Sequence, residues 1–280
     1  MQRLFYQVDV FSGTAYKGNP LGVVLDGQGL EAQAMQDYSL WSNLSEVTYV
    51  LPATDPKADF RFRIFARQHE YRFAGHPALG TARAWLEAGG VPRDPRQLIV
   101  ECGAGLVPIN IDQDVLAFAS PPPLRTGPVD AGELAEMLAI LDLEPTEMID
   151  AQWVDNGPGW AAILLESSER VLDIVPKVPQ RPGRWKIGVM GALPQERWPE
   201  KFEVRALTIE DGALREDPVT GSLNGAAAQW LIDAGYASSP LTNHQGTKVG
   251  RDGQMHMHLD DDQLWVGGKS SILIKGTIEL

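Results

Sequence analysis

A glutamate in NLSE (residues 43–46), a histidine in GHPALGTA (residues 75–82), and an aspartate and a serine in EDPVTGS (residues 216–222) are suited to proton chemistry. Glu46 stands where a predicted helix ends and a predicted strand begins. His76 follows Gly75 at a predicted helix start, and Glu216, Asp217 and Ser222 gather at a second one. A carboxylate enclosed by protein has its pKa raised by desolvation, which lets it take and return a proton near neutral pH. The first N–H groups of a helix have no partner inside it and carry partial positive charge. Glycine at such a start lets a ligand approach the backbone closely. Helix starts at residues 75–77 and 221–223 would therefore hold a small carboxylate and stabilise an enolate forming beside it, which makes Gly75, Pro77, Gly221 and Leu223 candidate binding positions. Removing a proton next to a carboxylate and returning it elsewhere needs a base and an acid, and no cofactor. Each residue also has a plainer role. His76 can hydrogen-bond its own helix start, Asp217 before Pro218 is an ordinary turn residue, Ser222 can serve as an N-cap, and Glu46 can be a solvated carboxylate.

The elements that must position these groups follow from the pattern. Residues 3–11 and 46–52 read as strands, and residues 58–67 alternate with period two. NPLGVVLD (residues 19–26) is a turn into an apolar run, and residues 30–41 have helical spacing. A helix is predicted over about 77–88, stopped by Gly89 and Gly90. QLIVEC and GLVPINI continue as strands. SPPPLRTGPVD (residues 120–130) is the linker candidate, because three successive prolines continue neither a helix nor a ladder. Beyond it, AGELAEMLAILDL is a helix, residues 159–167 and 201–209 are strands, and the tail holds QMHMHL, QLWVGG and SILIKGTIEL as separate strands.

GSLNGAAAQWLI at residue 221 repeats GHPALGTARAWL at residue 75. Trp85 aligns with Trp230 at an offset of 145, Gly80 meeting Gly225 and Gly90 meeting Gly235. Upstream, Phe60 meets Phe202 and Arg63 meets Arg205 at an offset of 142. A repeat near half the chain length means two similar lobes and not a solenoid, which repeats every 20–50 residues or so.

Taken in order, NLSE, FAGHPALGTA, EDPVTGS and the later HQG…GR (residues 244–251) resemble the motif set of the phenazine-biosynthesis-like family of the diaminopimelate-epimerase superfamily. The resemblance covers essentially the whole chain. It implies an α+β fold of two pseudo-symmetric lobes, each a sheet wrapped around a central helix. The lobes would span residues 1–122 and 123–280, with a strand at about 270–280 free to pack on the first, and the active site would lie in the cleft between them. It further implies an isomerase without a cofactor and a homodimer. Glu46 matches the family's proton-shuttling glutamate. His76, Asp217 and Ser222 match residues lining the substrate, and Gly75 and Gly221 match the helix-start glycines. Ser45 is expected to position Glu46 or to contact substrate. One departure stands out: where the best-studied phenazine enzymes continue Ala-His after this motif, this chain has Leu223 and Asn224. The expected reaction moves a proton between carbons of a small carboxylic acid. An epimerase without thiols and a non-catalytic binding member are the alternatives.

Composition narrows the classes further. The 280 residues carry a formal net charge of −13, which repels nucleic acid and anionic membranes, although a local positive pocket can still take a small anion. No apolar run approaches the roughly 20 residues that span a bilayer, and MQRLFYQVDVF lacks the apolar core of a signal peptide. The single cysteine, Cys102, permits no internal disulfide, which suits the cytoplasm, and it excludes a mechanism with one thiol on each face of a carbon. His256 and His258 share one face of an alternating segment, but no carboxylate or thiol cluster accompanies them, so no metal site is expected. GGKSS (residues 267–271) lacks the first glycine of a phosphate loop, and TGSLN lacks the flanking glycines of a nucleophile elbow.

Overall fold

The computed structural model describes residues 1–66, 69–178, 183–194, 201–210 and 212–280. The first half runs β1 (Gln2–Val10), β2 (Asn19–Val24), α1 (Ala32–Ser42), β3 (Glu46–Leu51), β4 (Phe60–Ala66), β5 (Glu70–Tyr71), α2 (Gly75–Glu87), β6 (Gln97–Cys102), β7 (Gly105–Asp112) and β8 (Val115–Ala119). The second runs α3 (Ala131–Leu141), β9 (Met148–Trp153), β10 (Ala161–Leu165), α4 (Ser168–Asp173), β11 (Trp185–Ala192), β12 (Lys201–Glu210), β13 (Ala213–Asp217), α5 (Gly221–Asp233), β14 (Leu241–Gln245), β15 (Gly253–Asp260) and β16 (Gln263–Glu279). Two compact units result, one of Met1–Ala119 with Gly267–Leu280 and one of Ser120–Val266.

In the first unit the strand order is β1-β2-β3-β4-β6-β7-β8-β16, and β16 returns to pair with β1 from Gln2↔Glu279 to Val10↔Ser270, so the sheet closes on itself. Period-two alternation aims one face inward: Phe60, Phe62 and Ile64 of β4 are buried, while Arg61 and Arg63 between them are not. Helix α2 packs against β1, β2, β3 and β8. It is buried continuously from Gly75 to Ala82, as a helix apolar on every side must be. The ring of Trp85 stacks on Phe60 with centroids 5.0 Å apart.

The second unit repeats this plan. Its order is β16-β15-β14-β12-β11-β10-β9, with β13 on the edge of β12. β1/β2 and β9/β10 are antiparallel, β2/β3 and β10/β11 parallel, and β4/β6 and β12/β14 parallel. Helices α2 and α5 have 13 residues each, and both are largely buried. Even the ion pairs recur. Arg63 on β4 holds Glu70 on β5 through two 2.7 Å bonds, and Arg205 on β12 holds Glu216 on β13 at 3.2 and 2.9 Å. Helix α3 opens on Asp130, whose carboxylate accepts from the N–H groups of Gly132 and Glu133, and packs Leu138 and Leu141 into a core with Ile163, Val189 and Leu207.

Several elements differ from the sequence reading. NPLGVV is strand β2 from its first residue. Helix α2 starts at Gly75, two residues early, because proline is tolerated in a first turn. The helix bounds repeat at an offset of 146, one more than the tryptophan alignment. QLWVGG and SILIKGTIEL are one strand, β16, running unbroken through Gly267 and Gly268. Strands β5, β8, β9, β11, β13 and β14 and helix α4 have no counterpart in that reading. Arg67, the last residue of the alternating segment, lies outside the described residues.

Candidate active site

Glu46 owes its place to a helix stop. α1 ends at Asn43 in the left-handed conformation (φ 60°), with its N–H on the Leu40 carbonyl, and the turn delivers Glu46 as the first residue of β3. Residues two apart on a strand share a face, so Glu46 and Thr48 both look toward α2. Thr48 Oγ1 meets Thr81 Oγ1 at 2.7 Å, and Thr81 donates to the Pro77 carbonyl at 2.6 Å. That pairing locks β3 against the first turns of α2. One turn earlier, His76 Nδ1 lies 3.4 Å from Glu46 Oε2, the two side chains being 7% and 17% exposed. Burial pushes the His76 pKa down to about 3, against the opposing pull of the Pro20 carbonyl that its ring bonds. The imidazole is therefore neutral near pH 7, and its contact with Glu46 is a polar one and not a charge pair. Gly75 is required here, because a Cβ on it would lie 2.3 Å from the Phe118 ring. Pro77 is buried in the same turn, and Ser45 is exposed at the bend before β3.

In the second unit, Asp217 ends β13 and Thr220 is the N-cap residue of α5. The structure thus removes Ser222 from the capping role and puts it in the first helical turn. There Trp160 Nε1 donates to Ser222 Oγ at 3.1 Å and Asn156 Nδ2 to the Ser222 carbonyl at 3.1 Å. Glu216 is occupied by Arg205, which is buried and also donates to the Val171 and Ile174 carbonyls. Leu223 is fully buried, its side chain turned to β11, where a Cβ on Gly188 would sit 2.5 Å from it. Among the residues that approach Asp217, sequence reasoning missed three. Thr220 Oγ1 donates to Asp217 Oδ2 at 2.6 Å, Gln245 Nε2 donates to the Asp217 carbonyl at 2.8 Å, and Asn224 Nδ2 donates to Gln245 Oε1 at 2.7 Å. Asn224 and Gln245 are fully buried. Their signal in the sequence was position, since both amides stand in the EDPVTGSLN and HQG stretches.

Next to Gln245, His244 sits between Glu203 (Nδ1 to Oε2, 2.6 Å) and Asp252 (Nε2 to Oδ1, 2.7 Å). The bond to Glu203 leads in raising its pKa to about 9, so this imidazole is protonated and bridges two carboxylates. His256 and His258 project from the exposed face of β15, where His256 meets Thr242 and His258 stacks on Trp265. Among the described residues, no three His, Cys, Asp or Glu side chains gather as a metal site would require. No described helix is long and apolar enough to cross a membrane.

Two units of equal plan, each with a sheet about a buried helix, define a diaminopimelate-epimerase-like α+β protein. The model of the phenazine biosynthesis-like protein family matches residues 8–277. Antisense-enhancing sequence 1 of Schizosaccharomyces pombe is 31% identical, with 97% of each chain covered. Trans-2,3-dihydro-3-hydroxyanthranilate isomerase of Pseudomonas chlororaphis is 28% identical over 98% of each. The crystal structure of a PhzF-family phenazine biosynthesis protein from Bacillus anthracis superposes with a TM-score of 0.82 over 100% of both chains at 19% identity. The chain belongs to the phenazine biosynthesis-like, or PhzC-PhzF, family. It is an isomerase in the broad sense that includes epimerases, acting on a small molecule.

Proposed function

We propose that the chain moves a proton between carbons of a small carboxylic acid, with Glu46 as the group that removes and returns it. The Glu46–His76 pair carries this reading. A neutral imidazole adds no positive charge beside Glu46, so it leaves the carboxyl able to give up a proton and take it back. A cationic partner would instead hold Glu46 ionised. Asp217 and Ser222 are assigned to substrate binding. The helix-start N–H groups of Gly75, His76, Gly221, Ser222 and Leu223 are assigned to the substrate carboxylate and the enolate charge. Gly75, Gly221 and Leu223 contribute backbone only, and Pro77, which has no N–H, shapes the turn. Ser45 is assigned to the substrate's approach to Glu46. The name of the Pseudomonas chlororaphis relative makes a cyclic, unsaturated amino acid the first substrate to try. Asn224, where the chain departs from the family motif, is buried and bonded to the Thr220 carbonyl and to Gln245. The reading extends to a homodimer in the cytoplasm, supported by the resemblance and by the single cysteine, and sedimentation of the purified protein measures the first of these.

The test is proton NMR in D₂O. The protein is incubated with trans-2,3-dihydro-3-hydroxyanthranilate and with a panel of cyclic and unsaturated carboxylic acids, alongside Glu46→Gln. Deuterium is expected at carbon with the wild type, and about 10²–10⁴-fold slower with the variant. Exchange at the wild-type rate in Glu46→Gln would remove Glu46 from the mechanism. Binding of these acids without any exchange would replace the isomerase by a binding protein.

A further inference from the structure

Backbone groups fix the orientation of the two amides, Gln245 and Asn224, beside Asp217. Thr220 N–H can only donate, and it points at Gln245 Oε1 at 3.0 Å; the Asp217 carbonyl can only accept, and it lies 2.8 Å from Gln245 Nε2. A flipped Gln245 amide would face donor with donor and acceptor with acceptor, so its orientation is determined. The Thr220 carbonyl fixes Asn224 in the same way, accepting from Nδ2 at 2.9 Å. The second hydrogen of Gln245 Nε2 then goes to Thr220 Oγ1 at 3.0 Å. The same hydroxyl donates to Asp217 Oδ2, 2.6 Å away. Asn243 Nδ2 feeds the chain from its far end, donating to Asn224 Oδ1 at 2.8 Å. Every donor in the series Asn243, Asn224, Gln245, Thr220 runs toward the Asp217 carboxylate.

We propose that Thr220 is a positioning residue for Asp217, its hydroxyl held by the buried Gln245 amide and donating to Oδ2, so that Asp217 meets substrate as an oriented hydrogen-bond acceptor and not as an acid. The inference deepens the reading of Asp217 as a substrate-binding group and rests on that reading for its function. The network itself is independent of that role. The charged groups carried by the elements packed here are Arg215 and Glu216 on β13, Arg205 on β12 opposite Glu216, His244 with Glu203 and Asp252 beside Gln245, and Arg251 beyond β14. All of them are identical in the variants compared below.

The test reads Asp217 without any substrate. The ¹³C-carboxyl signal of Asp217 is titrated in wild type, Thr220→Val and Thr220→Ser. Valine keeps the shape and removes the donor, and serine restores it. The Asp217 midpoint is expected to rise by about one pH unit in Thr220→Val and to stay at the wild-type value in Thr220→Ser. Gln245→Met removes the amide that holds the hydroxyl and is expected to fall between the two. Equal midpoints in Thr220→Val and Thr220→Ser would overturn the proposal, as would a wild-type midpoint above the ordinary aspartate range. If Thr220→Val fails to fold, a neutron structure of the wild type decides, since a deuteron on Thr220 Oγ1 directed at Oδ2 is required. In the D₂O exchange assay, Thr220→Val is expected to lower turnover about tenfold or more, with Thr220→Ser recovering it. Failure of the exchange assay alone would count against the proposed reaction and leave the titration to judge Thr220.

Discussion

Two histidines in this chain carry opposite proton affinities, each for a reason visible in its surroundings. His76 is buried beside one carboxylate and keeps a pKa of about 3. His244 is partly open, held between two carboxylates, and rises to about 9. The consequences for stability have opposite signs. An unfolded histidine titrates near 6.5, so between pH 6.5 and 3 the unfolded state takes the His76 proton and the folded state refuses it. Stability from this residue is whole above pH 6.5 and drains as the pH falls toward 3. At pH 5 the loss approaches ~2 kcal/mol, at about 1.4 kcal/mol per pH unit. His244 does the reverse: its contribution is whole below pH 6.5 and is lost as the pH climbs through about 9. Urea unfolding of wild type, His76→Gln and His244→Gln from pH 5 to 10 checks both. The variant at 76 is expected to lack the acid-side decline, and the variant at 244 to be weaker than wild type at pH 6 and equal to it above pH 10. A decline below pH 6.5 that survives in His76→Gln would contradict a neutral imidazole at Glu46.

At the scale of elements, both helices that start the candidate site depend on absent side chains. Gly75 lets α2 begin against Phe118, and alanine there would need the ring or the helix to move. Gly75→Ala is expected to cost about 1–3 kcal/mol, the usual range for overpacking. It is also expected to slow the exchange reaction further than stability explains, because His76 rides on the displaced turn. Thermal melts and the D₂O assay on one preparation separate the two effects. The same kind of contact explains what the sequence concealed. α2 and α5 were legible because small apolar residues run along every face of each. WKIGVMGA was not legible as strand β11, since glycine is depleted in strands, yet Gly188 is the position that admits Leu223 of α5. The motif residues Glu46, His76, Asp217 and Ser222 announced themselves by type and spacing. Gln245 and Asn224 did not, because an amide's importance lies in which donors and acceptors surround it, and that is set by strand pairing.

For the whole molecule, the duplication leaves the first unit dependent on the far end of the chain. β1 has two partners, β2 and the last residues of β16, and α2 packs on the inside of β1. The half-chain repeat was readable from sequence. That the return strand is β16 itself, continuous from the second unit into the first, was not, since Gly267 and Gly268 read as a break. A chain ending at Lys269 keeps all of Ser120–Val266 but loses every β16 partner of β1, from Val10↔Ser270 to Gln2↔Glu279. It also loses the bond from the N-terminal amine to the Leu280 carbonyl at 2.8 Å and the Lys275–Glu87 contact at 2.6 Å. The exposed ion pair matters little, because solvent screens it and holding two long side chains together costs entropy. The open β1 edge matters more, because an unpaired row of N–H and C=O groups invites pairing with other chains. Hydrogen exchange followed by mass spectrometry of the truncated protein is expected to show protection lost across β1, β2 and α2 and retained in β10, β11 and β12. Undiminished protection in β1 and α2 would mean that the first unit closes without its last strand, and that the core around α2 outweighs the ladder to β16 in holding His76 against Glu46.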